Sequence, residues 1–161
     1  AARGIPVVSA MDAPAESEPG FRAWPPHCVA GTAGQQKPAA TLPEKRATIP
    51  STQQDFNVEA AQQILLEKQS VDCFTNPNLP TLLERLKADR CVVYGVATEI
   101  CVMNAAMGLL KSGRQVTVVR DAVRKLDNAK PAQFIHAFIA AGGQRAPAKE
   151  IFGVYSSAPR T

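Results

Sequence analysis

The stretch VVYGVATEICVMNAA, Val92–Ala106, changes character halfway along. Val92, Val93 and Tyr94 read as the end of a buried strand, Gly95–Thr98 as a turn, and the pattern from Glu99 onward as a helix. A strand feeding a helix through a tight turn is the repeating unit of α/β proteins. Cys101 falls in the first turn of that helix. There the macrodipole and the free backbone N–H groups favour thiolate over thiol, and the same N–H groups can hold an oxyanion. A small buried apolar plug is the competing reading of the same residue.

The pattern repeats on both sides. IPVVSAMD reads as a buried parallel strand ending at Asp12. NPNLPTLLERLKAD reads as a helix, with Pro80 in its first turn and Leu79, Leu82, Leu83 and Leu86 along one face. Arg90–Ala97 is a strand and Glu99–Ser112 a helix stopped by Gly113. QVTVVRDA is a further strand, and PAQFIHAFIAAGG a helix ending in a glycine pair. Within residues 54–68, QILLEK fits either a helix or a strand ending at Lys68. The expected fold is α/β: a doubly wound, Rossmann-like, mostly parallel sheet with helices on both faces. Functional loops then gather at the carboxyl ends of the strands, where Lys68 would join Cys101. One domain is expected over residues 1–161. AARG reads as a helix tail with Gly4 as its left-handed stop, so a first strand and helix are expected to lie upstream. Residues 12–50 are rich in Pro, Gly and Ala without a sustained period, a length that suits a functional loop.

Composition narrows the class. The 161 residues are 45% apolar and 20% charged, as in ordinary globular proteins, with net charge +4 from 18 basic and 14 acidic residues. The cations are scattered and aromatics make up only 6%, which argues against a nucleic-acid partner. No apolar run reaches membrane-spanning length, so no membrane partner is expected. Cys28, Cys73, Cys91 and Cys101 form no CxxC pair and read as reduced thiols of a cytoplasmic protein.

WPPHCVAGT, Trp24–Thr32, holds one of two histidines on a loop stiffened by Pro25 and Pro26. His27 there suits a metal ligand or ring-stacking group, or a histidine hydrogen-bonded within its own loop. Cys28 follows it directly, and sequence neighbours usually point apart, so the two do not read as a catalytic pair. His136, in mid-helix, reads as exposed and uninvolved. Lys68 is either a cation serving the thiolate or a solvated surface lysine. Glu99 reads as a carboxylate favoured by the start of its helix rather than as a base.

The segment YGVATEICVMNAAMGLLKSGRQVTVVRDA closely resembles the nucleophile region of the isochorismatase-like cysteine hydrolases. WPPHCVAGT with the following GQQK resembles their nicotinamidase branch, and EKQSVDCFTNPNL is similar to the segment carrying the catalytic lysine. The resemblance implies hydrolysis of a small carboxamide through a thioester, with ammonia leaving first. It implies Cys101 as nucleophile, Lys68 as triad lysine, the Ala97 and Cys101 amides as oxyanion hole, and Trp24 in the substrate pocket. It also implies a cis peptide at Val96–Ala97. Asp12 and His27 match two positions of a divalent-metal site such as zinc, while Pro14 and Gly20 stand where further ligands belong. The family's triad aspartate lies on a first strand that this sequence does not contain. A catalytically impaired relative or fragment that binds a ligand or partner is therefore the alternative, and a vinyl-ether hydrolase, which needs no thiol, a third reading. A homo-oligomer is compatible with families of this fold.

Overall fold

QILLEK is a strand, and its burial explains why its sequence has no alternating pattern. In the computed structural model, which describes residues 4–22, 25–126 and 131–153, Gln63–Lys68 is the middle strand of a three-stranded parallel sheet. It is labelled β3. It pairs on one side with β1 (Val7–Asp12) and on the other with β2 (Arg46–Ile49). A central parallel strand is covered on both faces and so runs apolar throughout. Ile64 and Leu66 are fully buried, as is Ile49 of β2. The chain divides into two compact units, residues 1–87 and 88–161, and this sheet belongs to the first.

This unit departs from the sequence pattern at several points. β1 is parallel, as expected, but only half-buried, with Val8 exposed, because it lies at the edge of its sheet. The stretch after Asp12 is not structureless. It contains single turns at Pro19–Arg22, Ala33–Gln35 and Ala39–Thr41, followed by β2, all too short to leave a period. The leucine helix, α1, spans only Leu79–Arg85, with Pro80 at its start and Leu79, Leu82 and Leu83 buried. Gly4 has the left-handed φ of +71° expected of it, while residues 1–3 lie outside the described residues.

The second unit is built on β4 (Arg90–Val96), β5 (Gln115–Arg124) and β6 (Gln144–Ala146), again parallel and in that order. Its helices are α2 (Met103–Lys111), α3 (Pro131–Ala140) and α4 (Ala148–Phe152). Val102, Ala106, Val116, Val118, Phe134 and Phe138 form its core. Gly113 stops α2 at φ +82°, its N–H donating to the Leu110 carbonyl at 2.9 Å. β4 departs from the expected buried strand: Val92, Tyr94 and Val96 are exposed. The cause is again position, since among the described residues β4 pairs with β5 on one side only. A register shift between Val93 and Gly95 bends it, and Gly95 takes φ +129°.

Candidate active site

In the second unit, β4 ends in a non-proline cis peptide between Val96 and Ala97, at the bond the resemblance singles out. The chain does not enter an α-helix at Glu99, as the sequence suggested. Thr98–Val102 winds as one π-helical turn, and the α-helix begins at Met103. The Ala97 carbonyl accepts from Ile100 N at 3.2 Å and from Val102 N at 3.1 Å, closing the wider turn. Such turns recur at functional sites because one added residue re-aims a side chain within a packed helix. Cys101 lies in this turn and is half-buried, with Thr98, Glu99 and Val102 buried around it. The Glu99 carboxylate does more than face a helix start: its Oε1 accepts the Leu126 N–H at 2.8 Å.

In the first unit, Lys68 ends β3 and is 2% exposed. It is not a solvated surface lysine. Its ammonium donates to the Ser70 carbonyl at 3.0 Å and forms an ion pair with the Asp12 carboxylate. Asp12 ends β1 and is the register partner of Lys68, and the Ala13 N–H donates to the Lys68 carbonyl at 2.7 Å. Backbone and side chains thus fasten the two strand ends together.

Two buried asparagines that the sequence reading passed over complete this neighbourhood. Asn76 donates through Nδ2 to the carbonyls of Glu67 at 2.7 Å and Pro50 at 3.0 Å. Its Oδ1 accepts from Asn78 N at 2.8 Å. Asn78 donates to the carbonyls of Thr52 at 2.8 Å and Pro50 at 3.1 Å, and accepts from Gln54 N. Both are essentially inaccessible. The signal was present: in TNPN the residue types suit turns, yet Asn78 stands directly before the apolar face of α1.

The His27 loop is ordered by its own chain. Nδ1 is 2.8 Å from the Pro25 carbonyl, so it carries the proton, and the ring meets Phe21 edge-on at 5.7 Å. Farther along, Gln35 accepts the Gly31 N–H through Oε1 at 2.8 Å and donates to Glu67 at 3.3 Å, tying this loop to β3. Trp24, assigned to the substrate pocket by the resemblance, lies outside the described residues. His136 is exposed, as expected.

The residues present do not suit a metal centre. Asp12 is engaged by Lys68, Pro14 and Gly20 carry no donor side chain, and among the described residues no group of three His, Cys, Asp or Glu is placed to hold an ion. The structure thus brings together Asp12 with Lys68 in one unit and Ala97 with Cys101 in the other. Each pair lies at the carboxyl end of a parallel strand.

Residues 1–146 match the Isochorismatase domain family, and the chain belongs to that family. A nicotinamidase of Acinetobacter baylyi is 28% identical over 132 residues, 80% of this chain. The chain spans 58% of the length of that relative. A pyrazinamidase of Pyrococcus horikoshii, solved in complex with zinc, is similar in structure with TM-score 0.73 and 25% identity. The match covers 91% of this chain and 77% of that one. The N-carbamoylsarcosine amidase of Thermoplasma acidophilum shares the fold at TM-score 0.71 and 24% identity, over 91% of this chain and 74% of that one. The fold is α/β, with parallel sheets and helices as in these neighbours, and the family is one of hydrolases with amidase and nicotinamidase members. Among the described residues no helix is long and apolar enough to cross a membrane.

Proposed function

We propose that this chain serves a nicotinamidase-like hydrolysis of a small carboxamide, with Cys101 as nucleophile. The observation that carries the reading is the seat of Cys101: half-buried in a π-helical turn that follows the carboxyl end of β4. The sulfur attacks the carbonyl carbon as the C=O electron pair moves onto oxygen. When the carbonyl re-forms, the C–N bond breaks, ammonia departs carrying the proton that the thiol gave up, and a thioester remains. Water then splits the thioester to a carboxylic acid and the free thiol. The Ala97 and Cys101 amides are assigned to the oxyanion, Lys68 to its electrostatic support, and Trp24 to the substrate ring. No step is routed through a metal. The amidase and nicotinamidase relatives support a C–N bond as the target, and four cysteines without a CxxC pair suit a cytoplasmic setting.

Ammonia release is to be measured over a panel of aromatic and aliphatic carboxamides. Cys101→Ala should reduce it to background and Lys68→Met by roughly 100-fold or more. An unchanged rate in Cys101→Ala refutes the assignment. The second reading, a ligand-binding relative, draws on Pro14 and Gly20 standing at metal positions. It predicts saturable carboxamide binding by calorimetry without ammonia. Under the catalytic reading, iodoacetamide labels Cys101 first of the four thiols, and bound carboxamide protects it.

A further inference from the structure

The resemblance gives Asp12 and Lys68 separate tasks, one holding a metal and one serving the thiol, but the structure makes them a single unit. An ammonium as buried as that of Lys68 is stabilised by a counter-charge close by. Asp12 supplies it from the neighbouring strand end, at the matching register position. Its side chain is 37% exposed, so the carboxylate keeps part of its hydration. A carboxylate already paired with a fixed ammonium is a poor seat for a divalent cation, since the two cations would repel across a few ångströms.

The other features of the loop agree. The two positions that would complete a ligand set carry Pro14 and Gly20, neither of which has a donor side chain. We infer that Asp12 is a positioning residue that holds the Lys68 ammonium at the end of β3, and that this chain has given up its metal there in exchange for the ion pair. Asp12 acts on the reaction through Lys68. Only the kinetic arm of the test rests on the proposed hydrolysis.

The test is a double-mutant cycle in metal-free buffer: wild type, Asp12→Asn, Lys68→Met and the double variant, each followed by thermal denaturation and zinc titration calorimetry. Asp12→Asn should lower Tm by several degrees when Lys68 is present and by far less in the Lys68→Met background. Asp12→Glu, which keeps the charge, should recover most of the loss. Zinc isotherms of wild type and Asp12→Asn should coincide. An equal Tm penalty in both backgrounds overturns the inference, as does one zinc equivalent bound by wild type and lost in Asp12→Asn. Should Asp12→Asn not fold, Lys68→Met with Asp12→Asn folding normally carries the same message, and its failure to fold contradicts it. Where amide turnover is found, a chelator should leave kcat unchanged. Asp12→Asn should then lower kcat roughly tenfold or more, with KM little altered. Absence of turnover removes the proposed reaction but leaves the thermal and zinc arms intact.

Discussion

Glu99, two residues before Cys101, accepts the backbone N–H of Leu126 at 2.8 Å and so pins the segment after β5 to the turn that carries Cys101. The carboxylate is buried but Leu126 is exposed, so water can reach the freed N–H and the lost bond costs about 0.5–1.5 kcal/mol. Glu99→Ala should destabilise by about that amount and speed hydrogen exchange at the Leu126 amide. Glu99→Gln retains an acceptor oxygen and should keep most of the protection. Equal exchange at Leu126 in all three proteins would show that this bond holds nothing in place.

The Asn78 side chain bonds three backbone groups of residues 50–54. Asn78→Ala removes the partner of the Thr52 carbonyl and of the Gln54 N–H, while the Pro50 carbonyl still accepts from Asn76, and should cost about 2 kcal/mol by denaturant unfolding. Asn78→Asp keeps the acceptor, loses both donations and adds a buried charge, so it should be no better than Asn78→Ala. A loss below about 0.5 kcal/mol in both would mean that water replaces these bonds without penalty.

Phe138 is fully buried and lies over Gly143, where an added Cβ would sit 2.3 Å from the ring's Cζ. Gly143→Ala should therefore destabilise by about 1–3 kcal/mol through overpacking. In a Phe138→Leu background the same change should cost less, a coupling read directly from the four melting curves. Strict additivity would place the strain elsewhere.

Cys91 lies on β4, away from the Thr98–Val102 turn. Burial raises the pKa of its thiol, and the Arg114 guanidinium opposes that rise. The neutral form is favoured, so labelling of Cys91 by iodoacetamide should gain speed only above the ordinary thiol range of about 8.5. Arg114→Gln removes the opposing charge and should move the onset higher still. Peptide mass spectrometry resolves the site. Labelling of Cys91 near pH 7 at the rate of a free peptide thiol would contradict the assignment.

The strands and helices with clear periods were legible because burial imposes those periods. Leu79–Leu83 and Phe134–Phe138 fill the interior wherever the fold permits, and they appear as expected, whereas QILLEK has no such period, fits helix or strand alike, and is a strand. Exposure was misjudged at Val8, Val92 and Tyr94, because an apolar run says that a strand forms and not whether neighbours flank both its edges. The bonds that set the candidate site were the least legible. Asp12 and Lys68 are 56 positions apart and meet only through strand register, which no local pattern encodes. The asparagine node was hidden for the same reason: Asn76 and Asn78 speak to carbonyls more than twenty residues away. The wide turn at Thr98–Val102 was read as plain α-helix because its composition suits either winding.

That turn also separates two demands on one short piece of chain. Downstream, Ala106 is buried in the core and Met103, Met107 and Leu110 pack against it, gripping α2 to its unit. Upstream, a single surplus residue swings the sulfur's bearing by about 100° around the helix axis relative to that grip. Side chains on the gripping surface can drift through evolution without disturbing where the sulfur aims. Excision of one residue would do the reverse, leaving the anchorage intact and pointing the sulfur in another direction.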